Sequence, residues 1–243
     1  MATNEQGRSA AQLAERLIGL EGPKEVFLAA GEWMGYRLEP DGFRWLNGRT
    51  SLERRLDGRL ERMRLEASRW NRAGSLIEFS IVGLEVFDEE LQAWRRSNAD
   101  RTVERPGSME GIVCATSFLD ISREPKAIIT LPAGRLVAVD RLCEHAKEVA
   151  LPWFTSSEIP EGLAAAVPDA LLRPTGFAQD LLELLVSRGL AEEARSLIQR
   201  VLELGESHRE SFSEGRNLAD DGERPLWHSP QSLGWSSRVL GLI

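Results

Sequence analysis

The chain has 243 residues, is 42% hydrophobic and 28% charged, and carries a formal net charge of −8. That composition is globular and long enough to bury a sizeable core as one large or two small domains. The acidic balance argues against broad, non-specific nucleic-acid binding, which needs a strongly basic domain.

No apolar run approaches the ~20 residues of a membrane span. The opening MATNEQGRSAAQLAERL lacks the basic-then-apolar order of a signal peptide. The expected location is therefore the cytoplasm, with no membrane partner. Cys114 and Cys143 belong to no CxxC pair and read as buried thiols in a reducing compartment.

Ser9 to Glu21 reads as an amphipathic helix, with Ala10, Leu13, Ala14, Leu17 and Ile18 recurring at three and four. Ser9 followed by Gln12 is a capping-box pattern. Gly22-Pro23 breaks that helix, and Pro23 opens a second through about Trp33, which Gly35 ends. Val26, Phe27, Ala30 and Trp33 or Met34 form its buried face. Tyr36 to Leu38 and Phe43 to Leu46 read as short strands around the turn Pro40-Asp41-Gly42.

Ser51 to Phe87 is the stretch around which the rest is organised, three strands in a row. Asp57-Gly58 is a hairpin signal that asks for positive φ at both turn residues. In the second strand Met63, Leu65 and Ala67 share one face, and Arg62, Arg64, Glu66 and Ser68 the other. The third strand is apolar on both faces: Ile77, Phe79 and Ile81 on one, Leu76, Val82, Leu84 and Val86 on the other. It is expected to be central in the sheet.

The wet face is rich in arginine. Arg49, Arg54, Arg55, Arg59, Arg62, Arg64, Arg69 and Arg72 stand against Glu53, Asp57, Glu61 and Glu66. Guanidinium groups match phosphates and carboxylates bidentately, and tryptophans among arginines stack nucleobases. Arg62, Arg64, Arg69 and Trp70 are thus the candidate ligand-binding residues. The other reading is a solvated face of cross-strand Arg–Glu pairs.

Asp88 caps a short helix, DEELQAWRRS, and residues 97–108 read as a surface loop. Gly111 to Ile121 reads as a strand, and AIIT within Pro125–Ala133 as a short edge strand. Gly134 to Val149 suits a helix that stops at Leu151-Pro152-Trp153-Phe154, and Ser157 to Val167 a short one. Thr175 to Ser187 and Leu190 to Leu204 form a helical hairpin around Gly189. Residues 206–243 read as an extended, partly ordered tail. Its apolar end, LGWSSRVLGLI, is expected to fold back onto the domain, the alternative being a docking peptide.

The expected fold is therefore α+β. An antiparallel sheet of about five to six strands (about 36–121) packs with N-terminal helices and a C-terminal helical hairpin (about 134–205). Residues 1–205 form one domain and 206–243 the tail.

No HExxH, GxSxG, GxxxxGK[ST] or post-strand GxGxxG motif occurs. His145 sits two residues from Cys143, which on a helix points the pair apart. Asp140, Glu144 and Glu148 read as a solvated acidic stripe. No catalytic residue, metal site or cofactor is nominated.

Gly42-Phe43, Trp45, Arg54-Arg55, the run Leu65 to Asn71, the apolar strand Phe79 to Leu84 and Leu151-Pro152-Trp153-Phe154 occur in an order that resembles a bacterial family of unknown function, numbered 4304. The resemblance covers roughly residues 10 to 200. It departs at Glu66, where the family carries Gln, and at Val82, where it carries Asn. It implies an α+β domain and brings no established activity.

Three functional expectations follow. The first is a non-catalytic bacterial protein, inhibitor- or immunity-like, that binds a basic protein, with Glu214 to Glu223 as a contact. The second is a ligand- or nucleic-acid-binding sheet face, and the third an enzyme with a dispersed site.

Overall fold

The computed structural model of the chain describes residues 8–74, 76–118, 126–129, 132–167, 169–172 and 177–243. The fold is α+β, with a six-stranded sheet. The chain divides into two compact units: Met1–Glu85 with Thr116–Trp153, and Val86–Ala115 with Phe154–Ile243. The expected division is one domain over residues 1–205 and a tail over 206–243; residues 206–243 belong to the second of these units.

Unit 1 begins with α1 (Ala10–Gly19), whose N-terminus carries the full Ser9/Gln12 capping box. Helix α2 (Pro23–Arg37) starts on Pro23 but runs past Gly35. Gly31 and Gly35 seat Trp45: a Cβ at Gly31 would overlap the indole, and one at Gly35 would press the Trp45 backbone. Tyr36 and Arg37, expected in a strand, are consequently the last turn of α2. The chain then reverses through Gly42 at φ +84° into β1 (Arg44–Leu46).

Strands β2 (Ser51–Leu56) and β3 (Arg59–Ala67) form the expected hairpin, with Leu56 opposite Arg59. Only Gly58 takes positive φ (+65°), so the turn does not need both residues left-handed. Strand β4 (Ile77–Asp88) follows, and β6 (Lys126–Ile129) pairs with its first half. The strand order is β1-β2-β3-β4-β5, where β5 is Ile112–Ser117.

Alternation along β4 changes phase. Phe79 faces α2, with its ring 5.7 Å from Phe27. Glu85, of the same parity, instead pairs with Arg62 and Arg64 on the opposite face. Strict alternation therefore does not hold from Phe79 to Glu85. Apolar residues of both parities are buried along the strand: Phe79 and Ile81 in its first half, Leu84 and Val86 in its second.

Helix α4 (Arg135–His145), continued by a π-helical turn over Ala146–Ala150, completes unit 1. Buried Arg135 donates to the carbonyls of Leu17, Ile18 and Leu20, closing the end of α1. The stripe carboxylates Asp140 and Glu144 are partly occupied: Trp33 Nε1 and Arg37 bind Asp140 at 2.9 and 2.8 Å. Both cysteines are buried and neither is in a disulfide, and burial together with Asp140 pushes the thiol of Cys143 up to about 12.

Unit 2 contains α3 (Glu89–Ser97), capped by Asp88, the end of α5 (Leu151–Ser156), and α6 (Pro160–Ala166). The hairpin α7 (Phe177–Ser187) and α8 (Ala191–Glu203) turns at Gly189, φ +75°. The beginning of the expected helix at Thr175 lies outside the described residues, as do residues 119–121 of the expected strand.

The expected extended tail is helical. It forms α9 (Glu206–Asp220) and α10 (Ser232–Val239). They meet closely at two glycines, Gly215 against Gln231 and Trp235, and Gly234 against Phe212. That is why the segment reads as polar. The apolar end lies against its own unit, with Trp235 3% exposed.

Candidate functional site

The four candidate residues do not form one site. Arg62 spans three strands, donating to Glu53 on β2 at 2.7 Å and to Glu85 on β4 at 3.0 Å. Arg49 approaches Glu53 as well, and Arg64 lies 3.7 Å from Glu85. Burial would raise the Glu53 carboxyl, but Arg62 and Arg49 outweigh it and hold it below the ordinary range. On the α2 face Arg54 and Arg59 converge on fully buried Glu61. The sheet face is thus largely an internally balanced ladder of cross-strand pairs.

Arg69 and Trp70 stand apart, on the loop between β3 and β4. The Arg69 guanidinium lies 4.8 Å from the Trp70 ring centroid, and Trp70 is 65% exposed.

Sequence reasoning missed the densest polar cluster, which lies in unit 2. Arg95 and Arg105 converge on Asp180 and Glu183 of α7, with all four side chains buried. Arg105 Nη2 reaches both carboxylates at 2.7 Å, and Arg95 also donates to the Glu110 and Ile112 carbonyls. Gln179 Nε2 donates to Glu183 and to Ser236 on α10. His228 Nε2 lies 3.5 Å from Asp180 Oδ2. Burial would raise Asp180, yet His228 and the two arginines together hold it below its ordinary value.

This cluster ties α3, the 102–105 segment, α7 and α10 into one body. Two cations balance two anions, so its first effect is to fix geometry. Its sequence signal is Gln179, Asp180 and Glu183 sharing one face of an otherwise apolar helix. The arginine partners are about 80 residues away, and nothing local announces them.

Beside it is a small cleft lined by Gln179, His208, Ser211, Phe212, Ser229 and Ser232, with room for about one water. No group of three or more His, Cys, Asp or Glu able to hold a metal occurs among the described residues. None of their helices is long and apolar enough to cross a membrane.

Charge divides unevenly between the units. Unit 1 holds 18 Asp/Glu and 18 Lys/Arg, and unit 2 holds 20 and 12, so unit 2 carries the whole −8. Glu206, Glu210 and Glu214 recur at four along α9 and are exposed, followed by exposed Asp220, Asp221 and Glu223. Glu210, Asp221 and Glu223 have no ion-pair partner among the described residues. Just beyond them Leu226 is 83% exposed, on a turn pinned by Ser229 N and Ser232 Oγ, which both donate to its carbonyl.

No protein-family model, curated protein or solved structure matches the chain.

Proposed function

We propose that the chain is a binding protein, inhibitor- or immunity-like, that recognises a basic protein through the acidic surface of unit 2. The observation that carries this reading is the confinement of the net charge of −8 to unit 2, with carboxylates exposed at i, i+4 spacing on α9. Like charges at that spacing cost a helix about 0.2–0.5 kcal/mol per pair; Glu206 is offset by Arg209 and Glu214 accepts from Gln231 Nε2 at 2.9 Å, whereas Glu210 has no ion-pair partner among the described residues. A basic partner turns the same repulsion into attraction and speeds encounter. Leu226, exposed at the end of this surface, adds apolar area that a partner could cover.

The test is charge reversal on α9. The E210K/E214K double variant loses association with the partner while unfolding at a temperature close to that of the parent. Association unaffected by the double variant removes α9 as the contact.

A further inference from the structure

We propose a second binding element, independent of unit 2: the loop from Ser68 to Gly74 is a stacking platform for single-stranded nucleic acid. Trp70 supplies the ring, and Arg69 and Arg72 the phosphate contacts.

The loop is built, not slack. Asn71 clamps its base in both directions, donating to the Glu78 carbonyl at 2.8 Å and accepting from the Glu78 N–H at 2.7 Å. The Ser68 N–H donates to the same carbonyl at 2.9 Å, and Arg72 bridges back to Leu76. Gly74, at φ +67°, makes the reversal. A tryptophan 65% exposed on such a frame is presented to solvent at a hydrophobic cost that a pendant chain end would avoid.

Its arginines are not spent on carboxylates, although Arg69 lies over the Trp70 ring, 4.8 Å from its centroid. Arg49, Arg54, Arg59 and Arg62 are each bonded to carboxylates. Arg69 and Arg72 are exposed and have no ion pair among the described residues. No Asp or Glu occurs from Ala67 to Ile77. The acidity of the whole chain does not weigh against an anionic ligand here, because unit 1 is electrically neutral.

The combination selects the partner. A carboxylate suits the arginines but is repelled by the negative face of an indole. A nucleotide offers a planar base to Trp70 and a phosphate to each guanidinium, the arrangement of single-strand binding surfaces. An exposed loop lacks the concave enclosure that a free nucleotide needs for affinity. A strand lying across it does not require one.

The experiment is fluorescence anisotropy of labelled dodecathymidylate with the full chain, at about 50 mM salt where phosphate contacts are strongest. Saturable binding is expected. Trp70→Ala should weaken it roughly tenfold to a hundredfold, whereas Trp70→Phe keeps most of it. Replacing Arg69 and Arg72 together by Ala should flatten the plot of log affinity against log salt by about 1.4, the value for two single-strand phosphate contacts. A thermal melt unchanged by Trp70→Ala shows that the fold is intact. No binding, or equal binding by Trp70→Ala, overturns the proposal. Competition by polyglutamate at equal charge reassigns the loop to an acidic protein, and competition by thymidine monophosphate at equal concentration reassigns it to a free nucleotide; either result overturns it.

Discussion

Arg105 and Asp180 meet at 2.7 Å with neither side chain reaching solvent. Burial alone would lower the Arg105 guanidinium, but Glu183 and Asp180 raise it above its ordinary value. Removing one partner of such a pair strands the other charge in the interior, at a cost of about 3–5 kcal/mol. Asp180→Asn should therefore lower the melting temperature sharply, and a urea titration gives the loss directly.

The same carboxylate predicts a pH dependence. Asp180 is held below its ordinary value, so the unfolded chain takes up its proton more readily than the folded one. Its contribution is complete above the ordinary carboxylate range, near about pH 4, and is lost as pH falls towards the folded-state value. Glu53, shifted in the same direction, adds to this in unit 1. Acid unfolding of the parent should steepen below about pH 4, and Asp180→Asn should flatten that part of the curve.

Helix α9 crosses α10 at two glycines. A Cβ at Gly215 would overlap the Gln231 carbonyl, and one at Gly234 the Phe212 carbonyl. Backbone cannot rotate aside as a side chain does. Gly215→Ala and Gly234→Ala should each destabilise by about 1–3 kcal/mol or more. Gly48→Ala, at an open site, is the matched control.

The sheet arginines should separate in mutagenesis. Arg62→Ala leaves Glu53 and Glu85 without their shared partner and should cost about 1–3 kcal/mol. Arg64 is half exposed, with contacts beyond 3.5 Å, and its Ala variant should lie within about 0.5 kcal/mol of the parent. Equal losses at both positions would contradict the ladder described above.

Local signals were legible in the sequence where the chemistry is local. The Ser9/Gln12 cap, the Asp57-Gly58 hairpin and the alternation of Met63 and Leu65 with Arg62 and Arg64 each act within a few residues. Gly35 was misread because its role is set by Trp45, across a packing contact, and not by the end of a helix. The place of Glu85 opposite Arg62 and Arg64 was hidden by an apolar run, since buried residues of both parities give no period to read. The helices after residue 205 pack through glycine and serine, which carry no hydrophobic period. The Arg95, Arg105, Asp180 and Glu183 cluster joins residues that only the fold brings together.

The acidic surface of unit 2 is tested most directly by comparing what the parent chain and its E210K/E214K/E223K variant retain from a lysate of the source organism, followed by association rates with the retained protein across ionic strength. The account predicts one stoichiometric basic protein held by the parent and lost by the variant, with an association rate that falls steeply as salt rises. A partner retained equally by both chains, or associating at a rate indifferent to salt, would contradict it.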